Sequence, residues 1–216
     1  MFLDRSDLEA IDARIAAIEA ASGVEVVTAV VGKADAYPEL PWTAFALGAS
    51  LAALATVAAD VLRPDWAAAH ATLLTAVAIL GAGGVGALAA VFVPAFARLF
   101  LRGARRDLEV RQYARSLFLE RELFRTRERI GILLLVSLFE RRVELLADTG
   151  FDGRIGAAEW ARVVARMTPY LADGRPAAAL LEGLAGVDEL LARAGFRTGE
   201  GDTNELPDRP IESKGT

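Results

Sequence analysis

Cysteine is absent from all 216 residues. Disulfides, thiolate metal centres and cysteine nucleophiles are excluded together. Histidine is nearly as scarce, with His70 the one copy. It sits in an apolar run, so no histidine outside that run can activate Ser6, Ser22, Ser116 or Ser137, and none of these serines lies in a nucleophile motif. A basic tract able to follow a phosphate backbone is also missing from a chain of net charge −5, which removes nucleic acid from the expected partners. Nor is a secretory signal expected, because Met1-Phe2-Leu3-Asp4-Arg5-Ser6-Asp7 turns charged where an apolar region should follow. The N-terminus is expected to remain in the mature protein.

What the chain has in abundance is apolar length between residues 41 and 101. Residues 42–62 carry only Asp60, near their end, and about 20 such residues at a 1.5 Å rise cover the roughly 30 Å hydrocarbon core. Arg63-Pro64-Asp65 interrupts with two charges and a helix breaker. A second apolar run over 67–97 holds only His70, read as an interfacial side chain beside the connector, with a proton-responsive group as the alternative. The pattern predicts a transmembrane helical hairpin, and the lipid bilayer is its first partner. Lys33 precedes the spans and Arg98, Arg102, Arg105 and Arg106 follow them, while the connector sets Arg63 among Asp60 and Asp65. The positive-inside rule places both termini in the cytoplasm, at an inner (plasma) membrane.

Inside the spans, Gly48 with Ala52, Gly83 with Ala87 and Gly86 with Ala90 form small-xxx-small pairs. They predict a tightly packed intramolecular hairpin, with a homo-oligomer seam as the alternative. Pro94 is expected to end or kink the second helix. Residues 95–106, with arginines beside Phe96, Leu99, Phe100 and Leu101, are expected to lie along the anionic cytoplasmic surface.

Roughly 150 residues outside the hairpin suffice for one ordinary domain. Asp4 or Ser6 can cap a helix with Leu8, Ile11, Ile15 and Ile18 on one face, ending near Ser22-Gly23. Residues 24–31, β-branched and nearly all apolar, read as a buried strand. A charged helix over 107–127 carries Val110, Ala114, Leu117, Phe118 and Phe124, its stripe interrupted by Arg121. Residues 130–138 are apolar but too short to span, so a central strand is expected, with Glu140-Arg141-Arg142 turning into a second strand over 143–147. Two amphipathic helices follow, one presenting Trp160, Val163, Val164, Met167 and Leu171, the other Ala177, Leu180, Leu181, Leu184, Val187 and Leu191. Strands 24–31 and 130–138 joined through helix 107–127 form a right-handed βαβ crossover. Strand 143–147 adds antiparallel.

In this order the stretches Ser22-Gly23-Val24-Glu25-Val26-Val27, Arg129-Ile130-Gly131-Ile132-Leu133-Leu134-Leu135-Val136-Ser137 and Glu140-Arg141-Arg142-Val143-Glu144-Leu145-Leu146-Ala147-Asp148 resemble the TPM-domain proteins. With the tail Gly201-Asp202-Thr203-Asn204-Glu205-Leu206-Pro207-Asp208-Arg209-Pro210, they resemble more closely its small bacterial membrane branch of uncharacterised proteins. The resemblance implies a small three-layer α/β/α sandwich with a mixed sheet. Some relatives in photosynthetic membranes are linked to photosystem repair and to weak acid-phosphatase activity with a bound divalent ion, and others serve as assembly factors. Two departures mark this chain: an inserted transmembrane hairpin, and Asp148-Thr149-Gly150-Phe151-Asp152-Gly153 where the family carries a glycine-rich turn.

The expected division is therefore 1–37 for the first helix and strand of the TPM-like domain and 38–106 for the hairpin with its interfacial segment. The rest of the domain follows over 107–196, and 197–216 form a polar tail, extended or disordered. Chemistry has one candidate place. Asp148, Asp152 and Glu159 occupy positions 1, 5 and 12 of an EF-hand-like spacing, with Gly153 at the sharp-turn position and Gly150 where an oxygen ligand belongs. No cofactor is firmly implied, and a divalent cation such as Ca²⁺ at these three carboxylates is the candidate ligand. Two functions stand side by side. One is a non-enzymatic interaction or assembly module at the bacterial inner membrane with a protein partner; the alternative is a cation-dependent phosphatase or cation-binding domain using this turn.

Overall fold

Asp4 starts the first helix with a reciprocal cap. Its carboxylate accepts the Asp7 N–H at 2.7 Å, and the Asp7 carboxylate accepts the Asp4 N–H at 3.3 Å, satisfying donors that a helix N-terminus leaves open. Helix α1 runs Arg5–Ser22 and stops where Gly23 turns left-handed at φ 67°, a conformation that costs glycine nothing. Leu8, Ile11, Ile15 and Ile18 form its buried stripe. The computed structural model describes residues 2–62, 71–126, 128–197 and 210–215. The expected connector Arg63-Pro64-Asp65, His70 and most of the polar tail lie outside these.

The chain divides into two compact units, Met1–Asp35 with Arg106–Thr216, and Ala36–Arg105. The first holds a four-stranded sheet ordered β3-β2-β1-β4, built from β1 (Glu25–Val31), β2 (Gly131–Ser137), β3 (Arg142–Ala147) and β4 (Ile211–Ser213). β1 pairs parallel with β2 and with β4, and β2 pairs antiparallel with β3. Every residue of β1 and β2 is buried, as in strands covered on both faces. Alternation then sorts their side chains. Val26, Val30, Ile132, Leu134 and Val136 pack with α1 and with α6 (Ala157–Ala172) and α7 (Pro176–Ala194). Val27, Ala29, Val31, Leu133 and Leu135 pack with Val110, Ala114 and Leu117 of α5 (Gly103–Glu120). The unit is a mixed-sheet α/β/α sandwich, as expected.

Charge ties the outer helices together. Arg166 of α6 grips Glu182 at 2.6 Å and Glu189 at 2.9 Å on α7. Hydrogen bonding to Arg166 holds the Glu189 carboxyl below its ordinary range, and the two glutamates hold the Arg166 guanidinium above its own. Arg14 of α1 meets Asp188 of α7 at 2.8 Å.

One expectation is corrected and one is made specific. The helix expected over 107–127 starts earlier, at Gly103, and ends at Glu120. Glu122 is left-handed at φ 54° and opens a 3-10 turn, Leu123–Arg125, that buries Leu123, so a core contact stops the helix before its charged pattern does. The tail, expected extended or disordered, is extended over residues 211–213 and paired there as β4. The Gly32 N–H donates to the Ser213 carbonyl at 2.9 Å, and the Glu212 carboxylate accepts the Leu3 N–H at 2.9 Å. Backbone pairing holds a segment whose polarity gave no strand signal.

The second unit holds α2 (Glu39–Leu62), α3 (Ala71–Phe92) and the short α4 (Pro94–Ala97). Helices Glu39–Leu62 and Thr72–Phe92 are long and apolar enough to cross a membrane. They touch through the small residues: a Cβ on Gly48 would lie 2.6 Å from the Ala82 carbonyl oxygen, one on Gly86 2.7 Å from that of Ala44, and one on Gly83 2.7 Å from the Phe45 ring. Side chains at these positions would force the two helices apart. Leu51, Leu54, Val61, Leu73, Leu80 and Phe92 are exposed. The second apolar run is not one helix to residue 97, because Val93 is extended and Pro94 begins α4.

Candidate functional site

After β3 the chain turns through residues 148–156 into α6, and this turn carries the three candidate carboxylates. Asp148 is extended and caps the 3-10 turn Thr149–Phe151, its Oδ1 accepting the Thr149 N–H at 2.8 Å. Arg129 closes on the same carboxylate from the loop before β2: Nε donates to Oδ2 at 2.7 Å and Nη2 to Oδ1 at 3.0 Å. Two parallel charge-assisted bonds give this pair both strength and a fixed orientation. The Asp148 side chain is 5% exposed and that of Arg129 51%.

The backbone joins the two loops as well. Arg129 stands at φ 59°, unusual for a residue with a side chain, while its carbonyl accepts the Gly150 N–H at 2.9 Å and the Asp148 N–H donates to Gly131 at 3.0 Å. Gly150 is required by close approach, since a Cβ there would lie 2.4 Å from the Glu128 carbonyl oxygen and 2.6 Å from that of Arg129. Phe151 fills the space beneath, fully buried, edge-on to Trp160 at 5.5 Å and 5.1 Å from Phe196. Arg154 stacks over Phe196 at 3.6 Å.

The other two candidates have separate tasks. Asp152 is exposed and ends the 3-10 turn, followed by Gly153 at φ 78°, the sharp turn expected there. Glu159 sits in the first turn of α6, where its Oε2 accepts the Gly156 N–H at 3.0 Å and Arg162 stands 4.0 Å away. Among the described residues, no three His, Cys, Asp or Glu side chains form a group able to hold a metal ion. The donor set as arranged does not fit a divalent ion, because the one buried carboxylate would have to leave Arg129 to reach it.

Beside Asp148 lies an open groove of about 290 Å³, lined by Arg115, Phe118 and Leu119 of α5 with Leu146, Ala147 and Asp148. Its walls are mainly apolar, and among the described lining residues Arg115 and Asp148 are the polar ones. At the opposite end of the sheet, Glu140 is 1% exposed and accepts the Ala34 N–H at 2.9 Å and the Ser137 hydroxyl. Ser137 thus has an acid beside it, but both are buried and out of a substrate's reach. Sequence reasoning missed Arg129 and Glu140 as partners. An arginine before an apolar run and an acid in a charged turn look alike whether they face solvent or close a loop.

The sequence model described as TPM domain matches residues 58–190. No curated protein matches the chain. Among solved structures, the chain is similar to the NMR structure of the BA42 protein from the psychrophilic bacterium Bizionia argentinensis. The TM-score is 0.59 at 13% identity, covering 98% of this chain and 96% of that one. At that identity the likeness is one of fold.

Proposed function

The chain belongs to the TPM-domain family, and from that premise we propose that it is a membrane-fastened TPM domain acting as a non-enzymatic interaction or assembly module at the bacterial inner membrane. The observation that carries this reading is the fate of Asp148. The best-placed acid of the turn is engaged by Arg129 and by the cap on Thr149, so it supports the loop and is not offered to a substrate. The apolar hairpin, exposed along its outer faces, supports fastening in a bilayer. Both flanks then lie on the cytoplasmic side, with a protein partner or a second copy as what the module engages.

The test is turnover of a phosphomonoester by the purified full chain with Mg²⁺, Mn²⁺ or Ca²⁺ present. We expect no rate above background. Turnover that Asp148→Asn abolishes would overturn the reading in favour of a cation-dependent phosphatase. The cation reading requires Asp148 to exchange Arg129 for an ion. Calorimetric titration decides it: saturable binding lost in the Asp148→Ala, Asp152→Ala variant would make the turn a metal site.

A further inference from the structure

The three parallel strands end, and β3 begins, on one row. Val31 pairs with Ser137 and with Ser213, and Ser137 pairs with Arg142. The residues just beyond that row are unusually basic. Lys33 follows β1, Arg141 precedes β3, Arg142 begins it, and Lys214 follows β4. Lys33 and Lys214 are the only two lysines in a chain with 24 basic residues. They belong to the same corner, since the Lys214 carbonyl oxygen would lie 2.7 Å from a Cβ on Gly32, the neighbour of Lys33.

Hydrogen bonds hold these residues at the row. The Phe139 N–H donates to the Gly32 carbonyl at 3.0 Å, and the Ala34 N–H to Glu140 at 2.9 Å, on either side of Lys33, whose ammonium lies 5.1 Å from the Phe139 ring centre. Arg106 joins through Asp107, whose two oxygens meet Arg106 at 3.2 Å and Arg142 at 2.8 Å. Arg141, Arg142 and Lys214 are exposed. Against five cations stand Asp107, shared by two arginines, Asp35, and Glu140, whose carboxylate is buried. The chain leaves this unit after Asp35, two residues past Lys33, and returns at Arg106, the residue before Asp107.

We propose that Lys33, Arg106, Arg141, Arg142 and Lys214 form a headgroup-binding surface for anionic phospholipid, presented by the sheet end itself and not only by the arginines that follow the hairpin. The surface rests on the membrane reading above. It takes phosphate oxygens by charge and places no demand on acyl chain or headgroup shape. Asp107 is shared between Arg106 and the exposed Arg142, and buried Glu140 spends its carboxylate on the Ala34 N–H and the Ser137 hydroxyl.

The scarcity of lysine supplies the assay. The full chain is reconstituted in nanodiscs of phosphatidylcholine alone and of phosphatidylcholine mixed with phosphatidylglycerol, and acylation of Lys33 and Lys214 by an amine-reactive ester is followed by mass spectrometry. We expect acylation to slow about three-fold in the anionic discs, as a negative surface draws protons and occupies the amines, and to recover in high salt. Arg141→Gln should reduce the slowing, and Arg141→Lys should keep it. Equal rates in both discs, or equal protection by inorganic phosphate with zwitterionic discs, would overturn the proposal while leaving the membrane reading intact. A chain that fails to float with vesicles and washes off in carbonate would remove both.

Discussion

Replacing Asp148 by asparagine separates a structural turn from a working site. The asparagine Oδ1 can still accept the Thr149 N–H, so the cap survives. The second oxygen becomes an amide that faces the Arg129 guanidinium with its own hydrogens, and the bond to Oδ2 at 2.7 Å is lost. A hydrogen bond to a charged group contributes roughly 1.5–3 kcal/mol. Arg129 is half exposed, and water recovers part of that loss, leaving about 1–2 kcal/mol. The loss is local, because the same two loops remain joined through the Gly150 and Asp148 N–H groups, which donate to the Arg129 and Gly131 carbonyls. Hydrogen exchange followed by mass spectrometry should therefore show peptides covering 128–134 and 148–155 opening about ten-fold more often, with the helices of the apolar unit unchanged. Unaltered exchange in both peptides would refute the clasp and return Asp148 to the candidates for chemistry.

Thr28 is fully buried on β1, and its hydroxyl has no partner among the described residues. Thr28→Val should raise stability by about 1 kcal/mol, read from a denaturant midpoint, because an unsatisfied polar group leaves the core. Gly48→Val and Gly86→Val each place a side chain against a helix backbone 2.6–2.7 Å away. Both should lower the melting temperature in detergent, whereas Gly84→Ala, which meets nothing within 4 Å, should not. The Glu189 carboxyl is held low by Arg166. Its contribution is therefore present above the ordinary glutamate range and fades as pH falls through the lowered value. Denaturant midpoints from about pH 6 to about pH 3 should fall less steeply for Glu189→Gln than for the parent.

Most of the fold was legible because its signals are local. The stripe Leu8, Ile11, Ile15, Ile18, the run 131–137 and the break at Pro94 each follow from side-chain spacing or backbone chemistry that a neighbour cannot easily overrule. What escaped depends on partners far along the chain. Residues 211–213 are too polar to announce a strand and become one through the open edge of β1. Glu122 ends a helix that its charge pattern would continue, because Leu123 is drawn into the core. At the turn, the residues of interest were visible and their employment was not. Asp148, Asp152 and Glu159 share a spacing, yet Arg129, 19 residues earlier and across a strand pair, decides what the first of them does.

The pairing of Glu25 with Gly131 sets an order of assembly. β1 leaves the ribosome with its core partner still 106 residues from synthesis, and two long apolar helices emerge in between. Until β2 arrives, β1 is an apolar strand with neither edge occupied, and such strands pair readily with the wrong neighbour. β4, made later still, occupies the remaining edge. Maturation of the α/β unit is thereby made to wait on the handling of the hairpin. A chain whose helices stall outside the bilayer would present an unfinished sheet to the cell's proteases.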